Sequence, residues 1–193
     1  MPVADIFKSM ASHMIEGMMV HEQLMNSYRF LGLSGYAAVQ EYHYLSETCG
    51  YIRLCKYATN HFDIIIPSDS TQNIPKIIPV SWRESTRMDV VPKIRRESME
   101  NGFAEWVKWE EETRKLYENL YKEAIDSSLI ALSEFIKGYI LDVEEEIVYA
   151  KNELIVKRAM DFDIISILEE QSDLEKQFRK KIKKIGEEAY ENE

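Results

Sequence analysis

QEYHYLSETCGYIRLCKYATNH, residues 40–61, decides how this chain of 193 residues is read. It holds no proline and reads as one long helix. His43, Glu47 and Gly50 fall at i, i+4 and i+7, a single stripe about two turns long. Tyr44, Tyr51, Leu54, Tyr57 and Ala58 flank or continue that stripe. A carboxylate among bulky aromatics on the buried side of a helix is costly unless another polar group, a proton or a metal ion pairs with it. The rest of the chain has to supply that partner.

On the N-terminal side, Met14, Met18, Leu24, Met25, Tyr28 and Leu31 recur at helical spacing and predict a first helix over about 10–33. DIFKSMASH is either a short preceding helix capped by Asp5 or the start of the same one. Gly32, Ser34 and Gly35 mark a tight turn into the second helix, about 36–61. On the other side, IIIPSDSTQNIPKIIPVSWRESTRMDVVPK, residues 64–93, carries prolines that forbid a long helix. Its Ile and Val content is too apolar for a linker between domains. It predicts a crossover over 62–96 lying against the helices, with a short helix near 81–88 and with IIIP and KIIPV as short extended pieces. A third helix, about 97–124, shows Phe103, Trp106, Val107, Leu116, Tyr117 and Leu120 on its apolar side. Asp126-Ser127-Ser128 reads as a break and as an N-cap for a fourth helix, about 129–159. MDFD then restarts a fifth, about 164–190. The order is hairpin, long crossover, hairpin, extra helix, in one all-α domain over 1–193.

The net charge of -10 argues against nucleic acid as a partner. Cys49 and Cys55, six residues apart on one helix, form neither a disulfide framework nor a CxxC pair, which points to a reducing compartment. No run approaches the roughly 18 apolar residues of a membrane span, and no N-terminal apolar leader stands out. A cytoplasmic protein is expected. No Gly-rich phosphate loop or Ser/His/Asp signature appears, so nucleotide hydrolysis and acyl transfer have no support. The basic run RKKIKK, residues 179–184, either pairs with Glu175, Glu187 and Glu188 or docks on an acidic partner.

In an antiparallel hairpin, residues equally far from the turn sit at the same height. Counting from Ser127 and Ser128, Glu110 lies about 17 residues before, and Glu145 and Glu146 about as far after. Counting from Leu33 and Ser34, Glu47 meets the first helix near Val20, bracketed by Glu16, His21, Glu22 and Gln23. Of the runs Glu110–Glu112 and Glu144–Glu146, at least one residue each must face solvent. Every helix of the two hairpins thus brings an acid, or a polar group beside one, to mid-height. Convergence of this kind builds carboxylate-bridged di-metal sites.

Three segments carry a resemblance to the ferritin-like superfamily. SYRFLGLS, residues 27–34, resembles the end of the first ferritin helix. GYAAVQEYHYLSETCGYIRL, residues 35–54, is similar to the second helix of bacterial ferritins. FAEWVKWEEETRKLYENL, residues 103–120, and FIKGYILDVEEEI, residues 135–147, resemble their third and fourth. The resemblance implies a ferritin-like four-helix bundle with an additional C-terminal helix, two iron ions (with manganese or no metal as alternatives) and a homo-oligomer. It implies that Glu47, Glu110 and Glu146 are metal ligands. Glu16 or Glu22 is the first-helix acid, and His43 a further ligand. The sequence also departs from the family. The Glu-x-x-His of the second helix would need histidine at Gly50, the first-helix position falls on Gln23, Phe30 replaces a Tyr, and Val143 stands at a fourth-helix ligand position with Asp142 beside it. Two functions are therefore expected: ferroxidase-type iron oxidation and storage if the site is intact, or a metal-free ferritin-like scaffold acting as an oligomeric structural or interaction protein.

Overall fold

A computed structural model describes residues 1–66 and 92–191. The predicted crossover, with its short helix near 81–88 and its KIIPV piece, lies for the most part outside the described residues. The helices are α1 (Val3–Leu31), α2 (Ser34–Phe62), α3 (Pro92–Asp126), α4 (Ile130–Ala159) and α5 (Ile164–Glu191). No strand is present among the described residues, and none of the described helices is long and apolar enough to cross a membrane.

α1 starts well before residue 10, because Ile6, Phe7 and Met10 prolong its buried stripe against Leu54, Tyr117 and Leu132. DIFKSMASH is therefore its first turns, not a separate helix. Gly32 closes α1 in the left-handed region (φ 79°), and the Leu33 amide donates back to the Tyr28 carbonyl at 2.9 Å. Ser128 differs from the sequence expectation. It takes φ 59° and ends α3, and the N-cap position of α4 is Leu129, which makes no side-chain capping bond. At the last turn the reading of MDFD is matched by geometry, since Asp163 Oδ2 accepts both the Ser166 amide (3.0 Å) and hydroxyl (2.7 Å).

Helix directions follow from who touches whom. Along α1, His13 meets Thr113 and Tyr28 meets Gly102, so α1 and α3 are antiparallel. The Gly32–Leu33 turn makes α1 and α2 antiparallel as well. α2 and α3 therefore run in the same direction, and the chain leaving Phe62 must travel the length of the bundle to begin α3 at Pro92. α5 lies alongside the bundle rather than across its end. It follows α2, with Gln171 beside Gly35 and Phe178 beside Tyr42.

That docking is made of polar groups. The first amides of α2 have no side-chain cap of their own; instead Gln171 Oε1 accepts from Gly35 (3.0 Å) and Tyr36 (3.2 Å). Lys157 of α4, 3 % exposed, meets Glu170 at 2.6 Å, and the Tyr36 hydroxyl donates to Glu153 and Glu170. The apolar interior falls into two clusters. One surrounds Leu24, Tyr28, Tyr36, Phe103 and Trp106, the other Phe7, Met14, Leu54, Tyr117 and Ile136. Between them lies the height at which the sequence places its acids.

Gly35 lets α5 approach this closely: a Cβ there would stand 2.7 Å from the Gln171 carbonyl oxygen. Gly35→Ala is expected to lower unfolding stability by about 1–3 kcal/mol, and Gln171→Ala, which orphans two buried amides, by about the same. Urea unfolding followed by circular dichroism checks both. A loss below about 0.5 kcal/mol for each would show that α5 contributes little.

Candidate metal centre

Five side chains occupy the layer between the clusters: His21 from α1, His43 and Glu47 from α2, Glu110 from α3 and Glu146 from α4. Glu110 is fully buried; its Oε1 accepts the Trp106 indole N–H at 3.0 Å and lies 3.6 Å from His21 Nε2, while Oε2 has no hydrogen-bond partner. His43 Nδ1 stands 3.2 Å from Glu146 Oε1, and the two imidazoles stack at 5.3 Å. The Glu47 carboxyl reaches α1 at Gly17, where a Cβ would come within 2.8 Å of Oε1. Gly17 is thus the place where α1 yields its side chain to a carboxylate from α2.

His21 is the most informative member. Its Nδ1 is 2.8 Å from Gln40 Oε1, an oxygen that can only accept, so Nδ1 carries the proton. Burial, reinforced by His43, lowers its pKa to about 4 against the opposing Gln40 bond, so the ring is neutral at pH 7. Nε2 then presents a lone pair to Glu110 and has no hydrogen-bond partner. Two acceptors face each other inside the protein, and only a proton or a cation reconciles them. Burial, then the negative charges of Glu146 and Glu47, push the Glu110 carboxyl well above the ordinary range. Burial followed by Glu146 does the same for Glu47. Burial would raise Glu146 too, but His43, with His21 and Glu110, outweighs it and the net shift is downward. Burial thus favours the neutral form of Glu110 and Glu47, and the imidazoles favour the ionised form of Glu146.

The acidic runs divide as helix geometry requires. Glu110 and Glu146 face inward, Glu111 pairs with Lys151 at 2.6 Å, and Glu112, Glu144 and Glu145 are exposed. Glu16 and Glu22, the first-helix acids singled out from sequence, stand away from the layer: both are half-buried and neither bonds to it. His21 takes the place expected of them. At Gly50 the chain offers its carbonyl to the Tyr139 hydroxyl (3.0 Å), which in turn accepts from Arg53 Nε (3.1 Å). As the side chains stand, His21 approaches Glu110 and His43 approaches Glu146, Glu47 lies against Gly17, and no three His, Cys, Asp or Glu groups among the described residues are placed to hold a metal ion. The donor set nevertheless suits a hard or borderline divalent cation. It offers carboxylate oxygens with imidazole nitrogen, and three of its buried polar atoms, His21 Nε2, His43 Nδ1 and Glu110 Oε2, have no hydrogen-bond partner.

Two histidines of α1 give the protein an acid sensitivity. His13, stacked on Trp109 at 4.4 Å and bonded to Thr113 at 2.7 Å, is lowered to about 4 by burial, as His21 is by burial and His43. Both are neutral when folded, while the unfolded chain binds their protons below about pH 6.5. Their contribution to stability is full above pH 6.5 and is lost as pH falls toward 4, by at most roughly 3 kcal/mol each. The raised carboxyls of Glu47 and Glu110 act in the opposite sense over this range, so the histidine contribution is read by difference: in thermal unfolding of metal-free protein between pH 4 and 8, His13→Gln should lose less stability toward pH 4 than the parent does. A His13→Gln profile as steep as the parent's would contradict the assignment.

No protein family's sequence profile matches the chain, and no curated protein is significantly similar in sequence. Solved structures do match in shape. A humanized archaeal ferritin superposes with a TM-score of 0.71 at 17% identity, covering 89% of this chain and 94% of its own. A closed form of the Archaeoglobus fulgidus ferritin, engineered by site-directed mutagenesis, gives 0.72 at 13% identity over 89% and 93%. The open-pore ferritin of the same hyperthermophilic archaeon gives 0.71 at 13% identity over the same shares. With two antiparallel hairpins, parallel middle helices and a C-terminal helix, this chain has the ferritin-like fold.

Proposed function

We propose that the polar layer binds iron and that the protein oxidises and stores it. The observation that carries this reading is His21, whose Nδ1 proton is fixed by Gln40 while Nε2 aims a lone pair at a buried carboxyl. Metal-binding histidines are commonly held in this way, with the outer nitrogen anchored and the inner one free. Glu47, Glu110 and Glu146 supply the oxygens, and His21 and His43 the nitrogens. The likeness to ferritins in fold supports iron over other divalent cations.

Ferrous iron is the cargo. Binding displaces the protons held by Glu47 and Glu110, so uptake is favoured by rising pH and releases acid. Each ferrous ion gives up one electron. Two ions therefore reduce one dioxygen, with two protons, to hydrogen peroxide, and the resulting ferric ions are stabilised by the same carboxylates. Trp106 and Gln40 keep Glu110 and His21 aimed inward through the cycle.

Anaerobic titration with ferrous ion should release protons and, on admitting air, produce oxo-ferric absorbance in the near ultraviolet. Glu110→Ala and His21→Ala should each weaken ferrous binding by about tenfold or more. If elemental analysis finds no uptake of iron, manganese or zinc, the metal-free scaffold is the function instead. That second reading is favoured because no three His, Cys, Asp or Glu groups among the described residues are placed to hold a metal ion.

We infer self-association as well. On the outer face of α4, Leu141, Val148 and Ile155 recur every seven residues and are 55%, 59% and 63% exposed. Light scattering should report an oligomer, and Val148→Glu should shift it toward monomer. A monomeric parent protein would remove this part of the reading.

A further inference from the structure

We propose that Arg53 is a gate: the layer exchanges divalent cations with solvent through a small hollow between α2 and α4, and the guanidinium at its mouth slows that exchange. The inference rests on the reading that the layer binds such a cation. Of the five side chains, His21, His43 and Glu110 are buried, whereas Glu47 and Glu146 are half-buried. Those two line the hollow, so it is here that the layer meets solvent. The hollow's volume is about 50 Å³, against roughly 300–1,000 Å³ for an organic-ligand site. It has room for an ion with a water or two, and for nothing larger.

The hollow's outer end is charged. Arg53 of α2 and Asp142 of α4, both more than half-exposed, face each other there at 3.8 Å. Arg53 is not a loose surface cation. Its Nε donates to the Tyr139 hydroxyl (3.1 Å), which donates in turn to the Gly50 carbonyl (3.0 Å). The guanidinium carbon also lies 4.6 Å from the centre of the Tyr139 ring. Tyr139 is itself buried, and Gly50 stands one turn from Glu47 and one turn from Arg53. These contacts fix a positive charge beside the way to two carboxyls. A cation passing Arg53 comes well within the Debye length of about 8 Å at physiological salt, so the repulsion is only partly screened. Asp142 draws the same cation inward. Arg53 offers no electron pair and is no ligand. It therefore raises the barrier to entry and to exit alike, and acts on rates more than on affinity. A cation held by exchangeable oxygen donors is retained longer behind such a charge.

The test uses metal-free full-length protein with Co²⁺ as the probe. Trp106 is bonded to Glu110, so tryptophan quenching reports arrival at the layer. In stopped-flow mixing at low salt, Arg53→Gln should raise the association rate about three- to tenfold. Release to EDTA should accelerate by a similar factor, with Kd from equilibrium dialysis changed less than either rate. Arg53→Lys keeps the charge and should stay within about twofold of the parent, and high salt should narrow the gap between the Gln variant and the parent. Asp142→Asn should slow uptake. Circular dichroism spectra matching the parent's establish that the variants are folded. A parent protein that takes up no Co²⁺ in dialysis would remove the cation reading, and the gate with it. Uptake by the parent with unchanged rates in Arg53→Gln, or equal acceleration in Arg53→Lys, would overturn the gate alone and leave the cation reading standing.

Discussion

The structure depends on how three carboxylates and two imidazoles are accommodated between two apolar clusters. An unpaired ion in such surroundings costs several kcal/mol, so each acid must find a proton, a cation or a strong donor. Glu146 has His43, Glu110 has the Trp106 indole on one oxygen, and Glu47 is tucked against the bare backbone of Gly17. The shifts follow: Glu110 and Glu47 upward, Glu146 downward. The layer thus sets Glu110 and Glu47 toward the neutral form and Glu146 toward the ionised one.

The second constraint is α5. It supplies the acceptor that α2 lacks at its first turn and joins Lys157 and Tyr36 to Glu170, so two of its polar side chains do the work of a cap and of a buried counter-ion. The close approach is possible only because position 35 has no side chain. With α5 fastened along α2, the gap between α2 and α4 becomes a walled cleft, bounded at one side by Phe178 and Lys181. The helix that completes the fold also shapes the route from solvent to His43.

The fold was legible because long segments free of helix breakers are joined by short turns and by one proline-rich connection. The inward placement of Glu47, Glu110 and Glu146 was legible too, because each lies on or beside its helix's buried stripe at a countable height from a turn. That of His21 was not. The buried residues of α1 include Met10, Met14, Gly17, His21, Leu24, Tyr28 and Leu31, alternating in steps of four and three. His21 and Gly17 are on that seam, whereas Glu16 and Glu22 are each one step off it. Counting Met18 and Met25 as core blurred the seam, and a search for a carboxylate then passed over the histidine. Ser128 misled for a local reason. Ser in a turn serves either helix, and here its left-handed backbone ends α3. The role of Gln171 could not be read at all, since its partners lie 135 and 136 residues away.

Gly17 and Gly50 show how the layer differs from a symmetric four-helix metal site. At Gly17 the missing side chain admits Glu47 from across the bundle, so α1 contributes space at that level and its polar side chain comes one turn further on, at His21. At Gly50, which is buried against Tyr139 and Met14, α2 presents no side chain, and its imidazole comes from His43, seven residues earlier. Both imidazoles thus sit on the side of the layer nearer the α1–α2 turn, stacked on each other, while the Glu47 carboxyl sits on the far side. The Glu110 and Glu146 carboxyls stand beside the imidazoles, and Glu47 alone is set apart from them, against Gly17.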